Sequence, residues 1–285
     1  MTKIAFVFPG QGSQEVGMGI GFAEAFLDRA NEVLGFNLKK ICFEGPADEL
    51  KKTEITQPAI FTISAALFEQ SKTTIPYAVA GHSLGEYSAL YVAGALSFED
   101  GVKILHLRGK FMQEAVPIGA GAMAAILGLN RDKIKECCEK AGEVWPANFN
   151  SPGQVVISGE TSAVEKAGEL CKAAGAKRVI PLQVSAPFHC PLMKPAQDKL
   201  AHELKKIKIE NAQIPVVANV TADFATSADI IKELLVKQVT MPVLWEDSIK
   251  LLLKDGVEEF VEIGPGKVLT GLIKKIKEDF DASKK

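Results

Sequence analysis

The stretch AVAGHSLGEYSAL, residues 78–90, places a serine between two glycines where a short apolar run gives way to a helical pattern. From Gly81 to Gly85, the letters GHSLG match the G-x-S-x-G nucleophile elbow, a sharp turn between a strand and a helix. Glycines remove side chains that would clash at such a turn, and the backbone N–H of Leu84 can face a developing oxyanion. The pattern predicts that Ser83 is a nucleophile; the alternative is a chance match in a glycine-rich chain.

Strand-like and helix-like runs alternate outward from this turn, which indicates an α/β protein with a parallel sheet core. Buried strands are predicted at 3–8, 77–81 and 258–263. The first strand runs into the glycine loop PGQGSQEVGMG, and the last ends at GPG before a further helix. These elements predict one large α/β domain built around the serine turn.

The middle of the chain shows a different order of elements. After GAGA at 119–122, the pattern predicts β-α-β-β-α-β, which is the order of a ferredoxin-like unit. An NSPG turn at 150–153 separates the two central strands. The predicted organisation is therefore a small ferredoxin-like domain at 120–187, inserted into a large domain formed by 1–119 and 188–285.

The composition excludes several classes of protein. The 285 residues are 47% hydrophobic, and 33 Lys and Arg against 35 Asp and Glu give a net charge of −2, so no basic excess points to nucleic acid. The apolar run at 4–8 is too short for a membrane span or a signal segment. Five cysteines without a CxxC pair indicate thiols in a reducing compartment, and four scattered histidines predict no metal cluster. We expect a cytoplasmic protein.

A serine nucleophile needs a base, and the chain offers four histidines. His82 adjoins Ser83 and should point to the opposite face, His106 falls on the polar side of a helix, and His202 lies among lysines. His189 remains, in a loop stiffened by two prolines. Elimination favours His189 as the base over an incidental loop histidine. Most acids between the serine and this histidine lie on solvated helix faces, so we predict a Ser-His dyad.

The segment SFEDGVKILHLRGKFMQEA, residues 97–115, predicts a helix with an arginine on its apolar face. At 100° per residue, Arg108 lies between Ile104 and Met112 on that face. A guanidinium in an apolar site requires an anion. Two partners remain open: an internal carboxylate in a structural ion pair, or a substrate carboxylate bound by both ends of the guanidinium.

Six motifs occur in order along the chain: GQGSQ at 10–14, GHSLGE at 81–86, LRG around Arg108, NFNSPGQVVISG at 148–159, FHC around His189 and QVTMPVLW at 238–245. Together they resemble the bacterial malonyl-CoA:acyl carrier protein transacylases over nearly the whole chain. The resemblance implies an α/β-hydrolase-like large domain with a ferredoxin-like insert, in agreement with the division predicted above.

The resemblance also implies a role for each matching residue. Ser83 would carry the acyl group as an ester, and His189 would act as general base and then as general acid. Arg108 would bind the free carboxylate of the malonyl group. The backbone N–H groups of Gln11 and Leu84 would form the oxyanion hole.

Further positions follow from the same resemblance. Gln238 would lie near the histidine, with a backbone carbonyl there orienting the imidazole. The bulk of Phe188 would leave less room for a branched acyl group, although some relatives carry serine there. Four side chains are expected around the pocket, with the choice between the two asparagines left open: Phe188, His82, Asn148 and Asn150.

The implied reaction moves a malonyl group from malonyl-CoA to the phosphopantetheine thiol of acyl carrier protein and supplies fatty acid biosynthesis. It needs no metal or redox cofactor. Three alternatives remain at this point. A serine esterase or thioesterase would hydrolyse the ester rapidly, an idle subunit would bind acyl carrier protein without needing Ser83, and a related transferase would prefer methylmalonyl groups.

Overall fold

Two β-sheets organise the chain in the computed structural model, which describes residues 2–71, 74–184 and 186–284. The predicted mixed α/β class with a parallel sheet is confirmed. The strands, in chain order, are β1 (Lys3–Phe8), β2 (Ala78–Gly81), β3 (Gly121–Leu127), β4 (Val144–Ser151), β5 (Gln154–Glu160), β6 (Arg178–Pro181), β7 (Val216–Ala218), β8 (Asp223–Ala225) and β9 (Val257–Glu262). The helices, in chain order, are α1 (Glu24–Leu34), α2 (Leu38–Glu44), α3 (Ala47–Leu50), α4 (Thr53–Gln70), α5 (Gly85–Val92), α6 (Phe98–Glu114), α7 (Arg131–Ala141), α8 (Thr161–Ala173), α9 (Lys194–Leu204), α10 (Ala228–Gln238), α11 (Trp245–Lys254) and α12 (Val268–Ala282).

The larger sheet has the strand order β8-β7-β2-β1-β9, and its strands are parallel except for β8, which pairs antiparallel with β7. A strand covered by helices on both faces needs apolar side chains on both faces. In β1, the four residues from Ala5 to Phe8 are at most 4% exposed. Phe8 pairs with Gly81, so the carboxyl ends of β1 and β2 lie side by side. The loops that follow these strands can therefore share one site.

The smaller sheet has the order β4-β5-β3-β6, and its neighbouring strands are antiparallel. Its elements follow one another as β3-α7-β4-β5-α8-β6, the order that the sequence predicts. The two helices share a buried apolar core with the sheet, including Ile126, Ile134 and Val164. Asn148 of β4 bridges to Val243 beyond α10, which joins this sheet to the rest of the molecule.

Helix α6 carries Arg108 on its buried, apolar face. The Ser97 hydroxyl caps the helix by accepting the backbone N–H of Asp100 at 3.1 Å. At Gly109 the helix meets α4 so closely that a Cβ atom would lie 2.5 Å from a backbone oxygen of α4. This close approach brings Arg108 of α6 against Gln57 of α4.

None of the helices in the described ranges is long and apolar enough to cross a membrane.

Candidate active site

The serine turn is shaped by the two glycines that flank it. Ser83 has a φ of 53°, a left-handed conformation that non-glycine residues seldom adopt. A Cβ atom at Gly81 would lie 1.9 Å from the carbonyl carbon of Gly85, and one at Gly85 would lie 2.2 Å from the oxygen of Phe8. Only glycine fits at either position. The turn thus holds the serine side chain at the carboxyl end of β2 and at the start of α5.

His189 lies directly beside the serine. Its Nε2 atom is 2.7 Å from Oγ of Ser83, and its Nδ1 atom donates to the backbone carbonyl of Gln238 at 2.8 Å. Gln238 ends α10, where backbone carbonyls lack partners within the helix, so this oxygen is available to the imidazole. With Nδ1 donating, Nε2 can accept the serine proton.

The environment keeps this imidazole neutral. His189 is 4% exposed, and burial, followed by the nearby charge of Arg108, lowers its pKa to about 3. Both causes disfavour the imidazolium form. A neutral imidazole against a serine hydroxyl is the arrangement that general-base activation requires.

Arg108 is 1% exposed and reaches the same serine oxygen. Its Nη2 atom lies 3.1 Å from Oγ of Ser83 and 2.9 Å from Oε1 of Gln238, and its Nη1 atom lies 2.8 Å from Oε1 of Gln57. Among the described residues, all of these hydrogen bonds end on neutral oxygens. Within the described residues, Arg108 therefore does not form the internal ion pair with a carboxylate that the sequence left open. Its buried positive charge favours an incoming anion.

A cavity of about 130 Å³ opens over the serine between the two sheets. It brings together most of the predicted site residues, namely Gln11, His82, Ser83, Leu84, Arg108, Asn148, Phe188 and His189. The other lining side chains are Gln57, Met112, Met123, Leu182 and Val184. The cavity thus combines a nucleophile and one cation with largely apolar walls.

Gln238 and Asn150 lie outside this lining. Gln238 is fully buried behind the serine and contacts both His189 and Arg108. Asn150 lines a neighbouring cavity, where its Oδ1 atom accepts a hydrogen bond from Nε2 of His82 at 2.9 Å. Of the two asparagines, Asn148 is therefore the one that faces the serine.

The other two histidines lie away from the serine. His106 is half-buried on the helix face that also carries the exposed Lys103 and Lys110, and its Nδ1 atom lies 2.9 Å from the backbone carbonyl of Glu54 at the start of α4. His202 is exposed on α9, as expected. Within residues 2–71, 74–184 and 186–284, no group of three His, Cys, Asp or Glu side chains is arranged to hold a metal ion.

Sequence reasoning missed three buried polar residues of the site: Gln57, Glu86 and Asn219. Asn219 accepts the backbone N–H of Ser83 at 2.8 Å and donates to the carbonyl of Gly81 at 2.6 Å. Two of them carry a signal like that of Arg108, because Gln57 and Glu86 also lie among apolar residues on buried helices. Asn219 directly follows the carboxyl end of β7, the edge where α/β sheets place their sites.

The chain matches the family model described as "Acyl transferase domain" over residues 5–284. It therefore belongs to the acyl transferase domain family.

Individual relatives show which members of this family the chain is similar to. The chain is 52% identical over 295 residues to the malonyl CoA-acyl carrier protein transacylase of Escherichia coli (strain K12), covering 99% of this chain and 96% of the relative. A crystal structure of an acyl carrier protein S-malonyltransferase from Vibrio cholerae superposes with a TM-score of 0.94 at 48% identity, covering 97% and 94% of the two chains. A structure of a malonyl-transacylase in complex with its type II PKS acyl-carrier protein gives the same TM-score, identity and coverage. The resemblance inferred from the six motifs is confirmed.

Proposed function

We propose that this protein transfers a malonyl group from coenzyme A to the phosphopantetheine thiol of acyl carrier protein through an ester on Ser83. The observation that carries the proposal is the distance of 3.1 Å between Nη2 of Arg108 and the serine oxygen. A buried guanidinium at that distance suits an acyl group with a free carboxylate, because charge and hydrogen bonds then match. The 52% identity to a malonyl CoA-acyl carrier protein transacylase supports the same substrate.

The first step acylates the serine. As Oγ of Ser83 attacks the thioester carbonyl, Nε2 of His189 takes the hydroxyl proton. The backbone N–H groups of Gln11 and Leu84 stabilise the oxyanion of the tetrahedral intermediate. The C–S bond then breaks, and the imidazolium returns its proton to the departing coenzyme A thiolate.

The second step repeats this chemistry with a new thiol. His189 takes the proton of the phosphopantetheine thiol, whose sulfur attacks the ester carbonyl. The bond between carbon and Oγ breaks, and the imidazolium protonates the departing Ser83 oxygen. Each step moves one proton out and back, so Ser83, His189 and the backbone donors suffice without a metal or redox cofactor.

Selectivity for malonyl groups rests on the side chains above the serine. Arg108 would exchange its contact with Ser83 for the malonyl carboxylate and keep its neutral partners Gln57 and Gln238. The ring of Phe188, 8% exposed at the cavity wall, would disfavour a branched acyl group. Apolar walls would also limit attack by water on the ester, which distinguishes a transferase from an esterase.

We also propose finer descriptions of the fold and the cellular location. The β2–turn–α5 elbow in a mainly parallel sheet supports an α/β-hydrolase-like large domain over 1–119 and 188–285. The β-α-β-β-α-β order supports a ferredoxin-like small domain at 120–187, a range that includes Ser185, outside the described residues. All five cysteines are buried free thiols, which supports the cytoplasm.

Intact-mass measurement tests this function directly. The protein is mixed with malonyl-CoA and then chased with phosphopantetheinylated acyl carrier protein, with Ser83→Ala alongside. We expect a malonyl adduct that maps to Ser83, persists in water and passes to the carrier. An adduct that water clears without the carrier would make the protein a hydrolase, and an unaltered mass would contradict acyl transfer altogether.

A further inference from the structure

Glu86 is a buried carboxylate that the proposed chemistry does not use. It lies in the first turn of α5, three residues after the nucleophile, and is 3% exposed. Its Oε2 atom accepts the backbone N–H of Asn219 at 3.1 Å and Nε2 of Gln238 at 2.7 Å. Burial raises the pKa of this carboxyl to about 7, against the hydrogen bonds that favour its charged form. A carboxyl group buried at this cost calls for a role.

The Gln238 amide joins Glu86 to the site. Its Nε2 atom donates to Glu86 and, at 3.0 Å, to the backbone carbonyl of Ser83, while its Oε1 atom accepts from Arg108 at 2.9 Å. A half-turn of the amide would exchange its two ends. Its NH₂ group would then face the guanidinium, donor against donor, and its oxygen would face a carboxylate and a carbonyl.

Arg108, the Ser83 carbonyl and Glu86 all favour the orientation that the amide has in the structure, and Glu86 supplies the carboxyl acceptor among them. Above about pH 7 Glu86 is mainly a carboxylate, which only accepts hydrogen bonds, so it requires the NH₂ end of the amide. The oxygen of Gln238 is then left for Arg108, whose other fixed partner is Gln57. A neutral amide in place of Glu86 could accept or donate, and this preference would weaken.

We propose that Glu86 is a positioning residue for malonyl selectivity: it fixes the Gln238 amide so that its oxygen holds Arg108 in the orientation that receives the acyl carboxylate. This inference rests on the function proposed above. Simple electrostatics makes the opposite prediction, because removing an anion near Arg108 would strengthen binding of a second anion. The two effects therefore differ in sign.

The test compares malonyl-CoA with acetyl-CoA in the Glu86→Gln variant at about pH 8, above the pKa of Glu86. We expect kcat/KM for malonyl-CoA to fall about tenfold further than kcat/KM for acetyl-CoA, because a charge-assisted hydrogen bond becomes a neutral one. The matched control is Glu246→Gln, which removes another buried glutamate, bound to Lys250 on α11, and should leave the malonyl-to-acetyl ratio unchanged. An unchanged or raised ratio in Glu86→Gln overturns the inference.

A double-mutant cycle separates this role from a general loss of structure. In an Arg108→Ala background, Glu86→Gln should not lower the malonyl-to-acetyl ratio further, because its effect acts through the guanidinium. If Glu86→Gln does not fold, Gln238→Met replaces it, since this change removes the amide and keeps the backbone carbonyl for His189. The same tenfold loss is expected, and an unchanged ratio refutes the proposal. Failure of the proposed function would appear separately, as a wild-type protein without a malonyl adduct on Ser83.

Discussion

Ser83 lies between a base and a cation that affect each other. Both His189 and Arg108 are within hydrogen-bond distance of its Oγ atom, and the guanidinium is one cause of the lowered pKa of the imidazole. In the proposed mechanism, the charge that would bind a malonyl carboxylate therefore also keeps the base unprotonated. A bound carboxylate would then neutralise part of that effect and make His189 a better proton acceptor.

Removing the guanidinium should impair malonyl transfer selectively. In Arg108→Ala we expect kcat/KM for malonyl-CoA to fall at least about 100-fold, as for other buried charge pairs that lose one partner. Acetyl-CoA has no carboxylate, so its transfer should fall by no more than about tenfold. Equal losses for the two acyl groups, measured by carrier acylation, would show that the arginine only supports the fold.

The same variant should change the base. Loss of the charge of Arg108 removes one cause of the lowered pKa of His189, so that pKa should rise towards its ordinary value of about 6.5. The acidic limb of the pH profile of kcat/KM for acetyl-CoA should then move to higher pH. Arg29→Ala, which removes an exposed arginine paired with Glu99 on α6, is the control and should leave this limb in place. A limb that does not move in Arg108→Ala would contradict the electrostatic coupling.

At the scale of elements, the position of Arg108 depends on how closely α6 approaches α4. A Cβ atom at Gly109 would lie within 2.5 to 2.7 Å of backbone atoms of α4, which cannot move aside as a flexible side chain can. We expect Gly109→Ala to lower the free energy of unfolding by about 2 kcal/mol through overpacking. It should also impair malonyl transfer, because Arg108 and Gln57 would separate. Urea unfolding and the malonyl-to-acetyl ratio measure the two effects.

Gly271 provides the matched control for that substitution. It also lies inside a helix, α12, but nothing is within 4 Å of a Cβ atom built there. Gly271→Ala should therefore raise the free energy of unfolding by about 0.5–1 kcal/mol, because alanine is the better helix former. Equal effects of the two alanines would mean that close helix packing does not constrain Gly109.

The elements that the sequence predicts well are those with a strong local signal. The apolar run of β1 and the glycines around Ser83 depend on sterics and burial within a few residues, and both follow from the letters alone. Strands β7 and β8 have three residues each, too short for a period-two pattern, and the sequence does not predict them. Asn219 follows one of these strands, so it was missed together with its element.

At the scale of the whole molecule, the site joins segments that are distant in sequence. The Gln238 carbonyl that orients His189 lies 49 residues away from it, and Arg108 contacts Gln238 across 130 residues. The sequence indicates which residues carry chemistry, but one sequence does not reveal which distant residues contact each other. Every residue has a backbone carbonyl, so residue type cannot single out the one that orients the imidazole. Only the family resemblance pointed to Gln238.

Two buried groups of the site should affect the stability of the whole protein with opposite signs. His189 has a lowered pKa, so below about pH 6.5 the unfolded chain binds a proton that the native state refuses, and stability falls as the pH falls. Glu86 has a raised pKa of about 7, so between about pH 4.5 and 7 the native state binds a proton that the unfolded chain lacks. Its contribution makes stability rise as the pH falls. Around pH 5 to 6 the two contributions offset each other.

Substitution of either group should therefore expose the contribution of the other group to the pH dependence of the free energy of unfolding. In Glu86→Gln only the histidine contribution remains, so the free energy of unfolding should fall by about 2 kcal/mol more than in the wild type between pH 7.5 and pH 5. In His189→Gln only the carboxyl contribution remains, and the difference from the wild type should have the opposite sign. Urea unfolding at both pH values measures the change, since titrations elsewhere are common to all three proteins. If both variants kept the pH dependence of the wild type, neither buried group would have the shifted pKa that links the site to the stability of the molecule.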